Sequence, residues 1–238
     1  MRDLRFENVL AQAGNYLRYQ AETYGPDLLL ESAGPRAPVA VTRANSALDD
    51  LRRELGGCDR CGLAKTRTHL VFGVGDPSAK LMLVGEAPGE EEDRRGEPFV
   101  GAAGQLLDRI LAAIGFDRTE VYIANILKCR PPGNRDPLPE ETASCLPHLK
   151  RQIEAIGPGL ILALGRVAAQ NLLGNQAPLN RLRGETHSLQ GIPVVVTFHP
   201  AALLRNPEWK RPVWEDMQRL RRLYDQRVGD KPAWNPSK

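Results

Sequence analysis

Four cysteines are the residues whose types and spacing most clearly suggest chemistry. Cys58 and Cys61 form a C-x2-C pair, Cys129 and Cys145 form C-x15-C, and the chain has no other cysteine. A C-x2-C pair can hold one metal centre, and two more thiolates complete either a tetrahedral zinc site or an iron–sulfur cluster. The spacing alone does not separate these two centres. The alternative is two disulfides or four unrelated buried thiols, and a cytosolic context disfavours disulfides.

Three polar residues follow or interrupt apolar runs in the way that site residues do. Glu86 follows "LMLVG", Asn125 interrupts "VYIANIL", and His199 comes at the end of "IPVVVTFHP". A buried asparagine must be hydrogen-bonded, so Asn125 either ties down a neighbouring loop or reads a ring edge that carries a donor and an acceptor. A single histidine is more often structural than catalytic. The position of His199, beside a proline at the end of an apolar run, favours a functional role.

The segment "GEAPGEEEDRRGEPFVGAAGQLLD" is rich in glycine and proline before it becomes helical near Gly104. Its glycines allow the backbone to approach a ligand closely. Its amides before the helix could hold an anionic or carbonyl-bearing group. Phe99 lies in this loop, outside any helical stripe. It either anchors the loop in the core or forms a platform on which a flat ring stacks.

The elements that must position these residues alternate between strands and helices. Apolar runs predict four strands, which are "LMLVGEAP", "VYIANIL", "LILALG" and "IPVVVTFHP", with helical segments between and after them. This alternation predicts a parallel sheet with helices on both faces. Since ligands bind at the carboxyl ends of such strands, Glu86, Asn125 and His199 should converge there.

The N-terminal part of the chain lies outside this rhythm. Apolar positions predict an amphipathic helix over residues 4–24, and a linker rich in Pro, Gly and Ala follows over residues 25–42. A second helix is predicted over residues 44–55, with Asn45 or Ser46 as its cap. The chain is therefore divided into an N-terminal helix and linker at 1–42, one domain at 43–228 and a C-terminal tail at 229–238.

Composition sets broad limits on partners and location. The 238 residues include 32 Lys plus Arg and 29 Asp plus Glu, a net charge of +3 that alone does not indicate nucleic acid. A hydrophobic fraction of 42% and a charged fraction of 26% are ordinary for a globular protein. No apolar run is long enough for a transmembrane helix, and the N-terminus lacks the apolar core of a signal peptide. We therefore expect a cytoplasmic monomer with no membrane partner.

Several motifs in order, with the cysteines between them, resemble the family 4 uracil-DNA glycosylases, the iron–sulfur-containing members of their superfamily. The motifs are Cys58-x2-Cys61, "GEAPGEEEDRRGEPFVGAAGQLLD", "YIANILKCRPPGNRDP", Cys145 and "HPAALLRNP". The resemblance implies a three-layer α/β/α sandwich with a four-stranded parallel sheet, and a [4Fe-4S] cluster on the four cysteines. It also implies an enzyme that flips uracil out of double- or single-stranded DNA and hydrolyses its N-glycosidic bond, leaving an abasic site. "GEAPG" favours family 4 over the related family 5.

The resemblance further implies roles for residues at the strand ends. Phe99 falls on the uracil-stacking position, Asn125 on the position that reads the uracil edge, and His199 on the residue that faces uracil O2. The expected catalytic residues are Glu86, Asn125 and His199, and the expected substrate-binding residues add Gly85, Ala87, Glu92 and Phe99. No lysine is obviously placed as an amine nucleophile, so we expect a monofunctional enzyme without a lyase step.

The group that activates the water stays open at this point. In the best-known branch of the superfamily the first motif holds an aspartate that positions the water, and Ala87 occupies the equivalent place here. The candidates are Glu86, Glu92 and Asp93, and Asn125 is a candidate to orient the water.

The loop after His199 is expected to contact DNA. Leu203 or Leu204 could fill the space that the flipped base leaves, and Arg205 could contact phosphate; we assign the DNA contacts to Leu203 and Arg205. The alternative is that both leucines begin a core-facing helix. Asn134 and Arg135, in the basic loop "PPGNR", are further DNA-contacting candidates.

Two other classes of function compete with the glycosylase. An iron–sulfur electron carrier or redox sensor would use the cysteines but leaves Phe99, Asn125 and His199 unexplained. A zinc-stapled nucleic-acid-binding module without catalysis explains the basic loops but not the converging strand ends.

Overall fold

The computed structural model describes residues 43–235 of the chain. The helix predicted over residues 4–24 and the linker predicted over residues 25–42 lie outside the described residues, as do residues 236–238. The division of the chain into three segments therefore stays a prediction.

One sheet of six strands lies within residues 43–235. The strands are β1 (Val74–Gly75), β2 (Leu81–Gly85), β3 (Tyr122–Asn125), β4 (Leu160–Leu164), β5 (Thr186–Leu189) and β6 (Ile192–Thr197), in the order β1-β3-β2-β4-β6-β5. The four predicted strands, β3, β2, β4 and β6, pair in parallel at the centre. β1 and β5 add antiparallel edges. The α/β class is confirmed, and the predicted four-stranded sheet is the central part of a mixed sheet.

Burial explains why the central strands are visible in the sequence and the edge strands are not. Every residue of β2 and β4 is buried, as expected for parallel strands covered on both faces. In β5, exposed and half-buried residues alternate, and β1 has only two residues. Neither edge strand therefore contains a long apolar run.

Helices cover both faces of the sheet and give three layers. They are α1 (Arg43–Leu55), α2 (Glu90–Arg95), α3 (Ala102–Ala113), α4 (Pro139–Ile156), α5 (Arg166–Leu173), α6 (Leu179–Leu182), α7 (Pro200–Arg205) and α8 (Lys210–Arg227). Successive side chains of a strand point to opposite faces. Met82 and Val84 of β2 accordingly pack in one buried cluster with residues of α1, α4 and α5. Leu81 and Leu83 pack in a second cluster with residues of α3 and α8.

Two features at the ends of the domain differ from the sequence expectation or extend it. The prediction of Asn45 or Ser46 as a helix cap is wrong, because α1 already includes Arg43 and both residues lie inside it. The described part of the predicted tail packs on the domain. Trp234 Nε1 donates a hydrogen bond to the Ala113 carbonyl, and Arg221 donates one to the Pro232 carbonyl.

Among the helices of residues 43–235, none combines the length and the apolar character that a membrane crossing requires.

Candidate active site and cysteine centre

A cleft of about 360 Å³ opens at the carboxyl ends of the parallel strands. The sequence-predicted residues that line it are Glu86, Ala87, Glu92, Phe99, Asn125, Asn134, Arg135, His199 and Arg205. β3, β2 and β6 bring Asn125, Glu86 and His199 to this edge, as the strand order requires. Among the residues assigned to catalysis, substrate binding or DNA contact, Gly85 and Leu203 lie outside its lining.

Gly85 lies behind the cleft, where its lack of a side chain lets two site residues meet. A Cβ atom at Gly85 would lie 2.4 Å from Asn125 Oδ1 and 2.6 Å from Phe99 Cζ. Both distances are far inside van der Waals contact, so any side chain here would push the two groups apart. Gly85 therefore sets the spacing between the ring of Phe99 and the amide of Asn125.

Asn125 carries a hydrogen-bond acceptor without a partner in the wall of the cleft. The residue is 2% exposed, and its Oδ1 is buried with no hydrogen-bond partner among the described residues. Buried polar atoms are nearly always paired, and exceptions indicate strain, function or an absent ligand. The atom suits a ligand that carries an N–H donor.

Phe99 is held in an unusual backbone conformation by its neighbours. Its φ is 53°, in the left-handed region that non-glycine residues seldom adopt. The following amides, of Val100 and Gly101, both donate to Glu92 Oε1 at 2.8 and 2.9 Å. A Cβ at Gly104 would lie 1.8 Å from the Phe99 carbonyl oxygen. Glu92 and Gly104 thus fix the loop, which places the Phe99 ring in the buried core and at the cleft wall at once.

His199 is neutral, and its ring proton lies on Nε2 because Nδ1 accepts a hydrogen bond. Its Nδ1 accepts a hydrogen bond of 3.2 Å from the Ala201 amide and caps α7. Since Nδ1 is the acceptor, the ring proton lies on Nε2. Burial lowers the pKa of His199 to about 4, so the neutral form prevails at pH 7. The ring stacks against Phe99 with centroids 5.4 Å apart.

Glu86 is the carboxylate of the cleft with the most perturbed protonation. Its pKa is raised to about 7, mainly by burial and also by the charge of nearby Asp136, while Arg166 opposes both effects. A carboxylate with this pKa can accept a proton near neutral pH.

The two other acidic candidates have structural partners. Glu92 holds the Phe99 loop as described above. The buried carboxylate of Asp93 accepts hydrogen bonds from the Thr68 amide at 2.9 and 3.0 Å.

The four cysteines line a second cavity, separate from the cleft. Cys58 and Cys61 follow α1, Cys129 lies beyond the end of β3, and Cys145 lies in α4. Burial raises the pKa of Cys145 to about 11, so a metal centre would have to displace its proton. Within residues 43–235, no three His, Cys, Asp or Glu side chains are grouped closely enough to hold a metal ion. The four cysteines share the lining of this one cavity.

Lys128 connects the cysteine cavity with the active-site strand. Its side chain is 1% exposed, and Nζ donates to the Asn125 carbonyl at 2.9 Å and to Gln152 Oε1 at 2.6 Å. Its backbone amide donates to Cys145 Sγ at 3.3 Å. Burial lowers the pKa of Lys128 to about 8, against the opposing effect of Cys145 and Cys129. Sequence reasoning missed this residue, because a lysine after a strand resembles any surface lysine.

Comparison with known proteins decides the family. The sequence pattern of the uracil-DNA glycosylase superfamily matches residues 72–218. The type-4 uracil-DNA glycosylase of Archaeoglobus fulgidus is 46% identical over 185 residues, which are 74% of this chain and 93% of that protein. The chain belongs to the uracil-DNA glycosylase superfamily.

Further relatives bear on the branch of the superfamily. The type-4 enzyme of Sulfurisphaera tokodaii is 41% identical over 186 residues, 74% of this chain and 84% of that protein. A type-5 enzyme of Pyrobaculum aerophilum is 33% identical over 147 residues, 54% of this chain and 64% of that protein. The predicted likeness to the type-4 branch is thereby confirmed.

The DNA-facing residues need one correction. Leu203 is 2% exposed and packs in the buried cluster with α3 and α8, so the assignment of a DNA contact to it is wrong. Leu204 is 49% exposed on the same short helix, and Arg205 is exposed beside the cleft.

The loop before α4 presents two polar side chains that already have partners. Asn134 accepts a hydrogen bond from Arg130 at 2.8 Å, and Arg135 makes two bonds of 2.9 and 2.6 Å to Glu141. A phosphate contact by Arg135 would have to compete with this carboxylate. Whether Asn134 and Arg135 contact DNA stays a prediction.

A Gly85→Ala substitution tests the close approach at the end of β2. The added methyl would displace Asn125 or Phe99, and a misplacement of about 1 Å can cost about 100-fold in rate. We expect a loss of that order in the single-turnover rate of uracil release. Gly57→Ala is the matched control, because a Cβ at Gly57 meets nothing within 4 Å. Near wild-type activity in Gly85→Ala would contradict the spacing role.

Proposed function

We propose that this glycosylase flips uracil out of DNA and hydrolyses its N-glycosidic bond, which leaves an abasic site. The observation that carries the proposal is the unpaired, buried Oδ1 of Asn125 in a cleft that also contains an aromatic ring and a neutral histidine. Uracil supplies a flat ring, an N–H donor and two carbonyl acceptors, which match these three groups.

Asn125 would select uracil over cytosine. Its Oδ1 accepts from uracil N3–H, and its amide nitrogen donates to uracil O4. Cytosine carries an unprotonated N3 and an amino group at C4, so both contacts become repulsive. Leaving buried polar groups unpaired costs about 1–3 kcal/mol each, which provides discrimination. Phe99 stacks on either pyrimidine and contributes affinity rather than selectivity.

His199 would stabilise the departing base. Cleavage of the glycosidic bond places negative charge on uracil and positive charge on the sugar. A hydrogen bond from Nε2–H to the developing charge at O2 stabilises the transition state without reorganisation of the site. The neutral ring, held in one tautomer by the Ala201 amide, supports this role.

Glu86 is the proposed group that activates the water. Its carboxyl lines the cleft, and its raised pKa supports proton transfer near neutral pH. Glu92 and Asp93 are less suited because their hydrogen bonds to backbone amides hold loops. The water's proton passes to Glu86, and its oxygen forms the new bond to the sugar carbon.

Leu204 and Arg205 would hold the DNA while uracil is extruded. Leaving the stack costs a few kcal/mol, and an apolar side chain in the vacated space offsets part of this cost. Leu204 is exposed and suited to that space, and Arg205 is exposed and lines the cleft. The partner is uracil-containing DNA, single- or double-stranded. The monomeric state and the cytoplasmic location stay predictions.

A [4Fe-4S] cluster is the proposed occupant of the cysteine cavity, held by Cys58, Cys61, Cys129 and Cys145. Four cysteines that line one cavity suit a centre held by four thiolates, such as this cluster. The buried ammonium of Lys128, which has no ion pair with a carboxylate of residues 43–235, also fits an anionic centre nearby. The cluster would supply a rigid cross-link between the segment after α1 and the main sheet. A redox or zinc-binding function alone leaves the cleft without a role.

Release of free uracil from a U-containing oligonucleotide tests the function, and two His199 variants test its chemistry. Loss of one donor to the leaving group should lower the single-turnover rate by about 100- to 1000-fold. His199→Ala removes both the donor and the cap of α7. His199→Asn keeps a good capping residue but cannot place the donor at the same point. We expect both variants to bind DNA and cleave slowly; a normal rate in His199→Asn would mean that the cap is the main role.

The pH dependence tests Glu86. Because its pKa is raised to about 7, the basic carboxylate form grows as pH rises through that value. The single-turnover rate should therefore rise about tenfold per unit below pH 7 and level off above pH 8. Glu86→Gln should release uracil slowly, and its rate should not rise with pH in this range. A wild-type rate that does not change between pH 5.5 and about pH 8.5 would rule out Glu86 as the base.

The purified protein should be coloured. Absorbance near about 400 nm, with iron and sulfide in comparable amounts, is expected for a [4Fe-4S] centre on four thiolates. Cys145→Ser should lose colour and stability, while Ser144→Ala, a change of the neighbouring residue, should retain both. Stoichiometric zinc without iron in anaerobically prepared protein would contradict the cluster.

A further inference from the structure

A second groove lies beside the uracil cleft and shares three lining residues with it. It has a volume of about 470 Å³, and its floor includes Leu179, Phe198 and Trp209. His199, Ala202 and Arg205 line both the groove and the cleft. A DNA strand whose uracil occupies the cleft would therefore pass next to this groove.

The aromatic side chains of the groove form an ordered stack. Phe198 and Trp209 stack with centroids 4.5 Å apart and planes 20° apart. The Arg183 guanidinium lies over the Phe198 ring, 4.3 Å from its centroid. Phe198 lies between Trp209 and Arg183 and is only 9% exposed. Trp209 is half-buried and lines the open groove. Trp209 thus forms the accessible end of a rigid platform.

The charges at the rim suit a polyanion. Arg166 and Arg205 are both exposed and line the groove. Arg166 pairs with Asp136, but both side chains are largely in solvent, so this pair is weak and a phosphate can replace it. An aromatic platform next to arginines is the arrangement by which proteins hold unpaired bases, since every base has a π-face.

We infer that the groove binds the nucleobase next to the uracil on the same DNA strand, stacked on Trp209. The inference rests on the proposed function, because the cleft must first hold the uracil. The backbone between the two nucleotides runs past Arg205, which lines both sites. The groove accepts any base, and it favours substrates whose neighbouring base is already unpaired.

The test compares three single-stranded oligonucleotides with one uracil. One has normal neighbours, one has an abasic analogue on the 3′ side, and one has it on the 5′ side. For the wild type, one of the two abasic substrates should show about a tenfold lower kcat/KM. Trp209→Ala should be about tenfold slower than wild type on the normal substrate and lose nothing further on that abasic one. Trp209→Phe, which keeps a ring, should recover most of the rate.

A spectroscopic readout and a control variant separate stacking from a structural effect. 2-Aminopurine at the sensitive position should be quenched by the wild type and not by Trp209→Ala. Trp214→Ala is the matched control, because Trp214 is also half-buried but packs against Trp234, outside the groove. It should keep the wild-type substrate pattern.

Three results would overturn the inference. The first is an equal loss by Trp209→Ala on all three substrates. The second is a wild-type rate that ignores both abasic neighbours. The third is a rate that depends on Trp209 only in duplex substrates and varies with the base opposite uracil, which would mean that the groove binds the opposite strand. Absence of uracil release from every substrate would instead refute the proposed function.

Discussion

The active site depends on one close approach at the end of β2. Because Gly85 has no side chain, Asn125 of the next strand and the Phe99 ring can both lie against its backbone. The parallel pairing places Gly85 directly beside Asn125. The approach fixes the distance between a ring-stacking surface and a hydrogen-bonding edge, which is the dimension that a pyrimidine must match. Glu92 and Gly104 then hold Phe99 in the conformation that this packing needs.

The electrostatics of the cleft follow from its burial. Desolvation lowers the pKa of His199 to about 4 and is the main cause that raises the pKa of Glu86 to about 7, so at pH 7 His199 is neutral and Glu86 is about half ionised. Arg166 and Arg205, which we propose attract the phosphate backbone, stay at the rim, in solvent. In this arrangement, groups at the rim attract the DNA, and buried groups inside the cleft act on the base.

Much of this arrangement could be predicted from the sequence, for identifiable reasons. The central strands are buried on both faces, so their apolar runs are continuous, and the residues at their ends are easy to name. β1 and β5 lie at edges and lack that pattern. The burial of Leu203 could not be read from α7, because a helix of six residues is too short to display a periodicity. The roles of Gly104 and Lys128 depend on contacts that only the folded chain makes.

Lys128 links the cysteine cavity to Asn125 in the cleft. Its ammonium is bonded to the backbone carbonyl of Asn125, and its own amide to the sulfur of Cys145. An anionic centre among the cysteines would balance that charge, and loss of the centre would leave a buried cation without compensation. The disturbance would reach Asn125, the residue that we propose reads the base. Damage at the cysteine cavity would then weaken uracil recognition at the other end of the Lys128 side chain.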